Sequence, residues 1–147
     1  MKNQFYFRGR VDAQVRDGVL YVPREVEDFY RLRRNYVHRE GEIQGYRFLA
    51  VHPRLELMRS LFGDVNRSRE LPNKFVPLEK VVRGYRTRGL KLPTHSLEYL
   101  DLEQHSTAKI IGGERPYFEV WKPEDFARYE SSETWGDIKI SAQIIGL

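Results

Sequence analysis

The side chains best able to do chemistry in this sequence are its arginines. They outnumber lysines by 18 to 7. Lys80, Arg83, Arg86, Arg88 and Lys91 follow one another with no acid among them; Arg31, Arg33, Arg34 and Arg39 form a second acid-free group, and Arg8 and Arg10 come directly after Phe5, Tyr6 and Phe7. The guanidinium is a planar fork that matches phosphate geometry better than an ammonium does. Residues 1–70 hold 14 basic and 10 acidic side chains, whereas residues 71–147 hold 11 of each. Local cationic clusters in a nearly balanced chain point to a polyanionic partner, because evenly spread charge would serve solubility equally well. An arginine-rich composition with ordinary solvated faces would also give clusters, so the charge alone leaves both readings open.

Other chemistries find less support. His38, His52, His95 and His105 are far apart in sequence, and none has a partner at metal-ligand or catalytic spacing. Glu25 with Asp28, and Glu124 with Asp125, fall in the first turns of predicted helices, where acids complement the helix dipole. Gly112 and Gly113 follow an apolar strand but lead to Glu114, Arg115 and Pro116, which predicts a hairpin turn and not a phosphate-cradling loop. No serine lies in a nucleophile-elbow context. The absence of cysteine removes thiol nucleophiles, thiolate metal sites and disulfides together. The expectation is a protein without catalytic residues, metal or cofactor.

The elements that must position the cations repeat. Val15 to Pro23 can be laid over Tyr85 to Pro93 without gaps at an offset of 70, matching Arg16 with Arg86, Leu20 with Leu90 and Pro23 with Pro93. Each copy reads as a turn, a short alternating run and a proline that opens a helix. The predicted helices are Arg24 to Leu32 and Thr94 to Leu102. Downstream, Tyr46 to Pro53 and Pro116 to Pro123 read as strands ending on a proline, followed by helices over Arg54 to Phe62 and Glu124 to Tyr129. Val37 to Gly45 is expected to link helix and strand in the first half, whereas Lys109 to Gly113 reads as an additional strand and turn in the second. Residues 63–80 read as the connector. The chain then divides into a first half at 1–70, a second at 71–130 and an extension at 131–147 whose Ile138, Ile140, Ala142 and Ile144 alternate like a strand.

With 147 residues, 40% apolar, the chain is long enough to bury a core and has too much hydrophobic material for disorder. Apolar runs of membrane-spanning length are absent, and Met1 to Arg10 carry no stretch of signal-peptide length. The expected setting is the cytoplasm, in association with the nucleoid.

Several stretches resemble the MraZ family of bacterial transcriptional regulators, built from two tandem AbrB-like swapped-hairpin modules. Phe7-Arg8-Gly9 is similar to that family's opening, and Leu20-Tyr21-Val22-Pro23 and Leu90-Lys91-Leu92-Pro93 to its strand-to-helix joints. Leu49-Ala50-Val51-His52-Pro53 is similar to its midpoint strand. Glu98 to Glu103, Phe118-Glu119-Val120-Trp121 and the segment from Pro123 to Tyr129 complete a resemblance over roughly residues 5–130. Relatives carry Asp-x-x-Gly-Arg in each copy, with the arginine facing DNA; here the matching positions read Val15-Arg16-Asp17-Gly18-Val19 and Tyr85-Arg86-Thr87-Arg88-Gly89. No functional arginine is carried over from the resemblance. It implies an α+β fold of two pseudo-symmetric swapped-hairpin β-barrel modules with short flanking helices, and a homo-oligomer, with a ring among the possible arrangements.

Together these readings predict a transcriptional regulator that binds double-stranded DNA. Arg16 and Arg86 are expected immediately before equivalent turns, with Arg88 beside them and Arg8, Arg10, Arg83 and Lys91 flanking a repeated phosphate-binding edge. The alternative is a non-catalytic scaffolding subunit of a larger assembly, such as a ribonucleoprotein, that keeps the fold without the signature.

Overall fold

A computed structural model describes residues 7–30, 35–63, 71–83, 86–102, 106–113 and 115–132. The elements are β1 (Arg8–Arg16), β2 (Val19–Tyr21), α1 (Arg24–Tyr30), β3 (Tyr36–Ile43), β4 (Tyr46–Pro53), α2 (Arg54–Phe62), β5 (Val76–Arg83), β6 (Arg86–Lys91), α3 (Thr94–Leu100), β7 (Ser106–Gly113), β8 (Phe118–Trp121) and α4 (Pro123–Glu130). The strands close into an antiparallel barrel in the order β1-β2-β6-β5-β3-β4-β8-β7. An eight-stranded barrel is narrow enough for side chains alone to fill it.

Local chemistry starts and stops these elements. Asp17-Gly18 and Gln44-Gly45 all have positive φ, between 52° and 82°, and join β1 to β2 and β3 to β4 through two-residue turns. Such turns match the twist of the strands they join, and Asp-Gly is among their preferred sequences. Four prolines mark the strand-to-helix joints: Pro23, Pro53 and Pro93 directly precede α1, α2 and α3, and Pro123 opens α4. A fixed φ and a missing N–H suit the start of a helix. Asp101, at φ 55°, ends α3 in the left-handed conformation, with its N–H donating to the Glu98 and Leu97 carbonyls.

Alternation along the strands builds two kinds of core. Val15, Leu20, Leu49, Val51, Leu90, Ile110, Phe118 and Val120 fill the barrel, joined by Val26 from α1 and Leu100 from α3. On the outside, Phe48, Ala50 and Trp121 pack beneath Phe126 and Tyr129 of α4. The Trp121 ring centroid lies 5.3 Å from Phe48, 5.5 Å from Phe126 and 5.2 Å from Tyr129. A third cluster joins Val37 and Phe75 to Leu57 of α2.

The strand order is unchanged when β1–β4 are exchanged for β5–β8. β2 meets β6 with Leu20 opposite Leu90, and β4 meets β8 with Leu49 opposite Val120. Leu20 therefore faces its own counterpart, 70 positions away, and the exchange turns the pair Leu49–Val120 into the neighbouring pair Ala50–Glu119.

Three sequence expectations are corrected. Val37 to Gly45 is not a simple link, since most of it lies in β3, which has the same length and offset-70 bounds as β7. Gly112 and Gly113 are not the hairpin turn; they pair with Gly9 and Arg8 inside the ladder. A Cβ on Gly112 would stand 2.3 Å from the Phe7 carbonyl oxygen, so the backbone's close approach there requires glycine. The connector gives way to strand at Val76, ahead of the expected boundary at 80. Residues 64–70 and the alternating stretch of the C-terminal extension lie outside the described residues.

Candidate nucleic-acid interface

β1 ends on Arg16, and the tight turn at Asp17-Gly18 sends the chain back into β2. The Leu92 N–H donates to the Gly18 carbonyl at 2.8 Å, tying this turn to the strand-helix joint of the second half. Arg16 pairs with Val19, Val19 with Lys91, and Lys91 with Glu79. Directly paired residues share a face, so these four form one row across β1, β2, β6 and β5. Arg16 and Lys91 are both exposed and are separated by one strand, which spaces their backbones about 10 Å apart. Arg16 Nη2 donates to Gln14 Oε1 at 3.1 Å, and Lys91 Nζ is 3.9 Å from Glu79 Oε2. Both contacts are at the surface, where ion pairs are worth little and exchange readily with solvent.

The neighbouring row holds Thr107, Gln14 and Tyr21. Arg10, Asp12, Gln14 and Arg16, every second residue of β1, are exposed. The outer surface of β4, β8 and β7 differs, because α4 covers it. Arg16 and Lys91, both exposed, thus stand on a part of the barrel that α4 does not cover.

The remaining candidates do not gather around Arg16. Arg8 and Arg10 lie at the other end of β1, about 20–27 Å from Arg16 along the strand. Arg10 is ion-paired with Glu130, and its guanidinium lies 5.7 Å from the Phe126 ring centroid, so it fastens α4 to the barrel. Arg83 and Arg86 pair with each other at the end of β5 and β6, and Arg88 is the residue the ladder skips between Val81 opposite Gly89 and Val82 opposite Thr87. This corrects the expected equivalence with Arg16. Arg86 opens a strand where Arg16 ends one, and about 17 Å of β6 separates it from Lys91. The bulge and the different hairpin length displace the second turn, although the copies agree again at Leu90. The side chains of Arg83, Arg86 and Arg88, and all of Arg31, Arg33 and Arg34, lie outside the described residues.

Sequence reasoning missed a buried polar network beneath α4. Glu119, in β8, accepts from Trp121 Nε1 at 2.9 Å and lies 3.5 Å from Arg115 Nη1, which also donates to the Tyr117 hydroxyl at 2.6 Å. Burial pushes the Glu119 carboxyl up, while Arg115, the Trp121 hydrogen bond and Arg39 oppose that shift. The Arg39 guanidinium is 5.8 Å from the Tyr117 ring centroid. His52 stacks on Tyr117 at 4.5 Å and meets Phe75 edge-on, and burial, then Arg39 and Lys74, lower its pKa to about 3. Glu119 inside the apolar run Phe118-Glu119-Val120-Trp121 is the one sequence signal that pointed here.

A cleft of about 580 Å³ opens where β1 and β7 meet the end of α3 and the start of α4. Its lysines are occupied: Lys109 bonds Asp12 at 2.5 Å, and Lys122 bonds Asp101 at 2.6 Å. Among the described residues no three His, Asp or Glu side chains converge as a metal site, and no helix is long and apolar enough to cross a membrane. Two histidines that are 57 positions apart do meet, His38 and His95, with ring centroids 6.2 Å apart.

The chain matches no protein-family model, and a comparison with curated proteins finds none significantly similar to it in sequence.

Proposed function

We propose that this protein is a non-catalytic, DNA-binding transcriptional regulator of the MraZ type, in which two AbrB-like swapped-hairpin modules share one barrel. The exchange symmetry of the strand order, the self-facing pair Leu20 with Leu90, and the mutually exchanged pairs Leu49–Val120 and Ala50–Glu119 support the duplicated-module reading. The observation that carries the function is the row joining exposed Arg16 of the first half to exposed Lys91 of the second. Two cations about 10 Å apart on rigid strands can each take a backbone phosphate, with Gln14, Thr107 and Tyr21 beside them as neutral hydrogen-bonding groups. Assembly of several copies would multiply such weak contacts into useful affinity.

The test is duplex-DNA affinity measured against salt. Arg16→Ala and Lys91→Ala should each reduce the slope of log affinity against log salt by about one unit. Arg10→Ala should leave the slope unchanged, because that side chain is engaged with α4. Equal slopes for all three variants and the wild type would remove this row from the interface. No duplex binding at low salt, together with a stable assembly containing other chains, would favour the scaffolding role.

A further inference from the structure

We propose that His38 and His95 together bind one late first-row transition-metal ion, such as Zn²⁺, Ni²⁺ or Cu²⁺, at the seam between β3 and α3. This site is independent of the nucleic-acid reading and uses none of its residues.

The barrel places the two imidazoles. β3 pairs with β5 only at Tyr36, Val37 and His38, whereas it pairs with β4 along its full length. Beyond His38, α3 reaches β3 through the side chain of Tyr99. Tyr99, one helical turn after His95, donates its hydroxyl to the Gly41 carbonyl at 2.5 Å, which fixes the register of helix against strand. That contact holds His95 over His38.

His38 is 1% exposed, and neither of its ring nitrogens has a hydrogen-bond partner within the protein. A buried polar group without a partner is costly, and such groups in native structures call for an explanation. The next residue after His95, Ser96, is also fully buried with an unpartnered Oγ, so the start of α3 brings a second unsatisfied polar atom inside. Burial, and secondarily His95, lower the His38 pKa to about 4, leaving the neutral imidazole that a metal requires.

The spacing fits one shared ion. An ion about 2.0–2.1 Å from one nitrogen of each ring sets the ring centroids roughly 5–6 Å apart, the longer value belonging to a nearly linear arrangement. The rings stand at 6.2 Å, tilted by 33°, close to the nearly linear limit, so an ion held at a tetrahedral angle draws them together by about 1 Å. Imidazole donors suit zinc, nickel and copper better than calcium or magnesium, and the chain has no cysteine to supply a softer site. Because His95 is exposed, the remaining coordination positions can hold water. Such an ion would tie α3 to β3 where the strand ladder stops.

Calorimetric titration of the full chain with Zn²⁺ after chelator treatment tests the site, using the wild type, His95→Ala and His38→Leu. One equivalent should bind to the wild type, and each variant should lose at least about tenfold in affinity, as expected when a metal loses one of two protein ligands. In chelator, His38→Leu should melt above the wild type, because it replaces an unsatisfied polar side chain by an apolar one; added Zn²⁺ should raise the melting temperature of the wild type alone. Imidazole-nitrogen NMR of the wild type provides a readout that needs no variant, with Zn²⁺ expected to shift ring nitrogens of both His38 and His95. No binding at millimolar Zn²⁺ would overturn the proposal. So would binding that survives His38→Leu, or NMR shifts confined to His95, either of which would mark a surface histidine acting alone.

Discussion

Two seams of the barrel occupy equivalent places yet are built differently. Where β1 meets β7, eight residue pairs run from Arg8 opposite Gly113 to Val15 opposite Ser106. Where their counterparts β5 and β3 meet, three pairs form before the strands part at His38 opposite Val76. In the long seam Gly112 lets the backbone of Phe7 come close, and the inward position matching His38 is Ala108, fully buried in the apolar interior. In the short seam Tyr99 of α3 bonds the Gly41 carbonyl beyond the end of the ladder, and a histidine stands at the branch point. One architecture thus accommodates a closed seam held by backbone pairing and a split seam held by side chains. The two halves therefore share a topology without sharing their means of closure.

The largest way to expose this contrast is pH. His38 and His52 have folded-state pKa values lowered to about 4 and about 3, mainly by burial, from an unperturbed 6.5. The unfolded chain therefore takes up protons that the folded chain excludes as pH falls below 6.5, and stability drops until the folded pKa values are reached. At pH 5 the loss should be on the order of 2 kcal/mol per histidine relative to pH 8. Urea unfolding across this range checks it, and His38→Leu should remove about half of the slope. A pH dependence unchanged in that variant would relieve the split seam of its titrating group.

Glycine replacements separate the seams next. Gly112→Ala drives a Cβ against the Phe7 backbone and should cost about 1–3 kcal/mol or more. Gly41→Ala meets only the Phe48 ring, at 2.5 Å, and a ring can tilt, so the smaller cost of the two is expected there. The smallest effect belongs to Tyr99→Phe, which deletes the hydroxyl that bonds the Gly41 carbonyl and should cost about 1 kcal/mol. Amide hydrogen exchange should then quicken around residues 39–43 while the β1–β7 ladder keeps its protection.

Local chemistry was readable in the sequence and distant pairing was not. Pro23, Pro53, Pro93 and Pro123 announced four helices because proline acts on its own φ and its own missing donor. The sequence from Arg54 to Phe62 gave the bounds of α2 for the same reason. β3 escaped notice because Glu40 and Glu42 share the face of His38 beyond the point where β5 departs, so the strand lacks the expected apolar alternation. Of the cationic residues, the repeat drew attention to Arg16 and its surroundings, but no spacing could reveal that Arg10 is held by Glu130, 120 positions later. Nor could it show that the different register of the second hairpin would make Arg86 open a strand where Arg16 ends one. His38 and His95 meet only because the β3–β5 ladder stops at His38 and Tyr99 ties α3 to Gly41.

The order of strands around the barrel also bears on synthesis. β1 is made early, yet its long partner, β7, is complete only when Gly113 has been added, and β2 must wait for β6. The first hairpin thus leaves the ribosome with both flanks unsatisfied, and the closure of the ring depends on contacts between residues nearly a hundred positions apart. Such a nascent chain folds late and slowly, and until its own second half arrives, the hairpin of a neighbouring copy is an equally good mate.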